Sequence, residues 1–114
     1  MILEHLRMLL RNRAIELDLS LPHAITEARK DGLTTEDLEA AVFFGEVVED
    51  YGERVLLLHQ LAAYRIPFHV VLEFVPGEQF ATVVTAYIPD RALWEPDWKT
   101  RKKGKGQRGQ RKRK

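Results

Sequence analysis

His69 stands alone among hydrophobes. From Ile66 to Val75 the chain reads IPFHVVLEFV, so strand alternation places Phe68, Val70, Leu72 and Phe74 on one face and His69 and Glu73 on the other. The following run, FATVVTAYI from Phe80 to Ile88, repeats the pattern, with Val84, Ala86 and Ile88 on one face and Val83, Thr85 and Tyr87 on the other. Pro76 and Gly77 join the two as a hairpin. Keeping apolar faces together requires paired residue numbers to sum to an even value. A three-residue loop then sets His69 opposite Thr85, and a five-residue loop sets it opposite Tyr87. Either register gathers a titratable ring, a hydroxyl and a phenol on the face away from the core. An imidazole near its ordinary pKa of ~6.5 can take or give a proton, so the chemistry on offer is acid-base work.

The elements that position this face follow from periodicity. Ile2, Leu3, Leu6, Leu9, Leu10 and Ala14 form the stripe of an amphipathic first helix. Ile15, Leu17, Leu19 and Leu21 alternate with polar residues, which favours a short strand or extended entry. Pro22 and Gly32 bracket a second helix, PHAITEARKD, with His23 in its first turn. Thr34 or Thr35 can cap a third helix that buries Leu38, Ala41 and Val42 and stops at Gly45. GEVVEDY, RVLLLHQL and the hairpin then read as a four-stranded antiparallel meander behind the helices, an α+β architecture. Trp94 and Trp98, in PDRALWEPDW, fold back on the sheet as packing aromatics.

A chain of 114 residues supports one domain, here residues 1–98, and leaves no room for a cofactor domain. With no cysteine and no close pair among His5, His23, His59 and His69, neither a metal nor another cofactor is expected. The N-terminus is broken by Glu4, His5, Arg7 and Arg11, so neither a signal peptide nor a membrane span of roughly 20 apolar residues is expected, which points to the cytoplasm. The net charge of +1 conceals a split: residues 1–98 hold eight basic and 17 acidic residues, a net of −9, while residues 99–114 hold ten basic ones and no acid. That tail has nothing apolar to bury and is expected to be disordered. Its Arg101, Lys102, Lys103, Lys105, Arg108, Arg111, Lys112, Arg113 and Lys114 suit a polyanion, RNA or a ribosome, bound by counterion release. A tail that folds back on the acidic body is the other reading.

The order of motifs, LPHAITEARKDGLTTEDLEAAVFFGEVVEDY, then AYRIPFHVV, then TAYIPDRALWEPDW, resembles the bacterial domain-of-unknown-function family 4258 over about residues 20–98. The resemblance implies the fold of RelE/ParE-like toxins, small partners of antitoxin proteins, many of which cleave RNA without metal. It marks His23 and His69 as the two histidines of the pattern, Arg65 as the arginine before the second strand motif, and Thr85 and Tyr87 as the Thr-x-Tyr. Where the pattern carries arginines after the first histidine and before the glycine, this chain has Glu27 and Asp31.

Metal-free RNA cleavage needs a base for the 2′-hydroxyl, an acid for the leaving 5′-oxygen, and donors for the charge on the phosphorane. His23 and His69 could divide the first two roles, Arg65 could clamp phosphate, and Tyr87 and Thr85 could position the substrate. The alternative is a nonenzymatic module that binds RNA, a ribosome or a protein through the basic tail; Glu27 and Asp31 favour it, the two histidines favour cleavage. Structural roles compete as well: His69 can simply hydrogen-bond across the sheet, and His23 can bond to backbone at a helix start. Nothing in the sequence fixes the oligomeric state.

Overall fold

The computed structural model describes residues 1–103. Leucines at positions 3, 6 and 10 fall on one side of a helix, and α1 (Leu3–Arg11) buries all three. Pro22 opens α2 (Pro22–Lys30), whose buried Ala24 and Ala28 are four apart and small, so the helix lies close to the sheet. Past its end, the Asp31 carboxylate accepts the Ile88 backbone N–H at 2.7 Å, tying helix to sheet. Asp31 is therefore a tether here. Thr34 caps α3 (Thr35–Phe44): its hydroxyl accepts the Asp37 N–H at 3.1 Å while the Asp37 carboxylate accepts the Thr34 N–H at 2.8 Å.

Gly45 stops α3 because a Cβ there would lie 2.5 Å from the Ala41 carbonyl oxygen. The exposed carbonyls at this end are taken by Arg7, which is 7% exposed. Its Nε donates to the Val42 carbonyl at 2.8 Å and its Nη2 to the Gly45 carbonyl at 2.6 Å. A cation on the negative end of a helix is favourable twice over, by charge and by satisfied carbonyls.

The strands are β1 (Glu16–Asp18), β2 (Glu46–Asp50), β3 (Arg54–Gln60), β4 (Pro67–Glu73) and β5 (Phe80–Tyr87), in spatial order β1-β5-β4-β3-β2. The expected four-stranded antiparallel meander is corrected here. β2 to β5 do form one, but β1 adds a fifth strand parallel to β5, pairing Glu16 to Phe80 and Asp18 to Thr82. The alternation at residues 15–21 marked an extended segment; its backbone groups find partners on the free edge of β5. The helices cover one face, where Leu6, Ala24, Ala28, Leu38, Val42, Val55, Leu57, Phe68, Val70 and Leu72 share a core.

Two bulges set the opposite face. Between β4 and β5 the register slips at Val84, so Leu72 pairs with Val83 while Val71 pairs with Thr85. Val83 therefore enters the helical core beside Ala81 and Ala86, contrary to strict alternation, and Thr85 and Tyr87 stay with His69. Between β2 and β3 the slip at Val48 turns Glu49 to the same side as Glu46. Two rows result, Glu46-Leu58-His69-Tyr87 and Glu49-Leu56-Val71-Thr85, both facing away from the helices.

Among the described residues no helix is long and apolar enough to cross a membrane. Residues 104–114, with the tail cations Lys105, Arg108, Arg111, Lys112, Arg113 and Lys114, lie outside the described residues.

Candidate functional site

Residues 89–103 cross the two rows as a strap. Its loop is closed by backbone bonds from Glu95 N–H to the Thr100 carbonyl (2.8 Å), Trp98 N–H to the Glu95 carbonyl (2.9 Å) and Lys102 N–H to the Leu93 carbonyl (2.9 Å). Asp97 braces the turn by accepting from the N–H groups of Lys99 and Thr100 and from the Thr100 hydroxyl. Trp98 sits at φ +60°, a left-handed conformation that costs a bulky residue about 1 kcal/mol or more and persists only where surroundings impose it. His69 supplies one such restraint.

His69 is 0% exposed. Its Nε2 lies 2.8 Å from the Trp98 carbonyl, which can only accept, so Nε2 carries the proton. Nδ1 is then an acceptor and faces the Tyr87 hydroxyl at 3.4 Å. The ring packs edge-on against Trp94 at 4.6 Å and Tyr87 at 5.4 Å. Burial pushes the His69 pKa below its ordinary value, the Trp98 carbonyl and nearby Glu49 opposing that shift, and burial raises the Tyr87 phenol. A neutral histidine with both nitrogens directed at protein atoms is an internal hydrogen-bonding residue.

The strap is fastened to β2 by charge. Lys99 Nζ donates to Glu46 at 2.9 Å, and Arg101 donates to Glu49 through Nε at 2.8 Å and Nη2 at 3.0 Å. The Arg101 guanidinium also stacks over the Trp94 ring at 4.6 Å. The Arg101 bond holds the Glu49 carboxyl below its usual range, and Tyr51, whose hydroxyl also donates to Glu49, is raised by that contact.

The expected site residues separate. His69, Tyr87 and Thr85 share the strap face, Thr85 being half-buried. His23 is exposed on α2, the helix whose Ala24 and Ala28 enter the core on the other side of the sheet. No hydrogen bond or ring contact joins it to His69 among the described residues. Arg65 is exposed in the turn before β4, at φ +55°. Arg101, expected on phosphate, is paired with Glu49, while Lys102 and Lys103 are exposed where the strap leaves the sheet. Glu27 pairs with Lys30 at 3.2 Å. Trp98, expected as a packing aromatic, holds the strap through its carbonyl, and Glu46 and Glu49 hold it by charge. The match depends on the register: Lys99 and Arg101 alternate, and Glu46 and Glu49 share a side only because Val48 is bulged.

The sequence matches, over residues 21–88, the family described as Domain of unknown function (DUF4258). The chain belongs to that family. No curated protein and no solved structure matches it. The DUF4258 portion runs from α2 through β5, so it includes His23, Arg65, His69 and Tyr87 and leaves out α1 and the strap.

Proposed function

We propose that this DUF4258 protein is a nonenzymatic nucleic-acid-binding module, with RNA as the polyanion. The observation that carries this reading is the strap: it closes over His69 and directs the chain, from Lys102 and Lys103 onward, into six further cations. The rest of the molecule is acidic on balance, so a polyanion is drawn chiefly to the C-terminal segment. A relation to RelE/ParE-like proteins and a location in the cytoplasm belong to the same reading. Cleavage is not part of this reading. An acid-base group must reach the reacting proton directly or through one water, and both ring nitrogens of His69 are engaged within the protein.

The test is RNA binding, followed by fluorescence anisotropy at several salt concentrations, for the full chain and for a chain ending at Lys103. Loss of the six cations beyond it should weaken binding severely and lower the slope of log affinity against log salt by about four, at about 0.7 per phosphate contact on a single strand. Unchanged affinity in the shortened chain would overturn the proposal. So would RNA degradation that disappears in His69→Ala.

A further inference from the structure

On its outer side the strap carries a cleft of about 280 Å³, lined by Arg91, Trp94, Pro96, Trp98 and Lys102. Its composition is specific. Two indoles and a proline ring supply flat apolar walls, and two cations stand beside them. A cationic guest, which an aromatic cage alone would welcome, is repelled by Arg91 and Lys102. A planar guest attached to an anion satisfies both parts of the lining, and a nucleotide is such a guest.

We infer that this cleft holds one nucleotide of a single-stranded nucleic acid, the base stacked on the Trp98 indole and its phosphate against Arg91 and Lys102. Trp94 is 3% exposed and already spends its ring on Arg101 and His69, so it forms the floor. Trp98 is half-buried and forms the wall. Its backbone is fixed on both sides, by its own N–H to Glu95 and by His69 on its carbonyl, so the main chain that carries the indole needs no ordering on binding. Arg91 makes no ion pair with the described residues; of the acids nearest in sequence, Asp90 accepts from the Ala92 N–H and Asp97 from its own turn, both at the surface, and Glu95 lies between Trp94 and Pro96. The sequence after Lys102 and Lys103 holds six further cations. This inference rests on the reading of the chain as a polyanion binder and adds to it a site that recognises a base.

The experiment compares two probes on the full chain: a fluorescein-labelled ten-nucleotide oligo(U) RNA, and inorganic polyphosphate, which has the charge and no bases. Trp98→Ala should weaken the RNA about 5- to 150-fold, the loss of one base–aromatic stack, and leave polyphosphate within about twofold. Trp98→Leu, which keeps apolar bulk against the strap, should do the same, and Trp98→Phe should retain most of the affinity. Arg91→Gln should weaken both probes and lower the salt slope by less than one. If the Trp98 variants lose no more RNA affinity than polyphosphate affinity, the base site is overturned while the tail reading stands. If they lose RNA affinity but shortening the chain to Lys103 changes nothing, the base site stands and the tail reading falls. If the full chain binds neither probe, both fall.

Discussion

The helical face of the sheet buries Phe68, Val70 and Leu72 against helices, whereas the strap face buries His69 and Trp94 under a loop tied down by Lys99 and Arg101. The first is held by apolar area removed from water, which ionic screening does not weaken and which is weakly sensitive to pH. The second is held by one buried histidine, aromatic contacts and exposed ion pairs. One sheet thus carries a permanent side and a side whose cover responds to solution conditions.

The largest test of that contrast is Phe68→Ala. Phe68 is 0% exposed in the helical core, so its removal should cost about 3–5 kcal/mol, read as a lowered midpoint in chemical denaturation. A loss below about 1 kcal/mol would break the assignment of stability to that face. Next comes His69→Leu, which fills the space but leaves the Trp98 carbonyl without its donor, at a cost of about 1–3 kcal/mol. The same variant isolates a pH effect. Burial holds His69 below its ordinary 6.5, so the unfolded chain takes up a proton at a pH where the folded one does not. Stability is full above pH 6.5 and declines as the pH falls through and below that value. His59, lowered by burial in the same direction, contributes the slope that His69→Leu should retain. The smallest effect belongs to Arg101→Ala. An exposed ion pair is worth about 1 kcal/mol or less and is screened by salt, so the gap between variant and parent should narrow as salt rises, leaving the loss of the stack on Trp94. Tryptophan fluorescence reports the strap, and a red shift at low salt in the variant should accompany the change.

The helices were legible because their signals are local. Pro22, Gly32, the Thr34-to-Asp37 spacing and the leucine stripe each act within a few residues. β1 could be read as extended but not paired, since a three-residue parallel contact between residues 16–18 and 80–82 leaves no mark near either segment. The bulges were invisible for a related reason: Val48 and Val84 are ordinary strand residues, and only the register reveals that each is skipped. His69 was found and its face was right, as was Tyr87 as one of two possible partners. The return of Trp94 and Trp98 to the sheet was legible, and a basic tail folding back on the acidic body was the other reading; what charge alone could not show is which of the ten cations, Lys99 and Arg101, pair with Glu46 and Glu49.

The parallel edge has a consequence for how the chain acquires its fold. β2, β3, β4 and β5 follow one another through short turns and can associate as soon as each is available. β1 must wait for a strand that lies 64 residues further on. Closing that loop costs more entropy than closing the short turns of the meander, so the β1–β5 edge is expected to lock after β2 to β5 have paired, an order that hydrogen exchange at residues 16–18 would check.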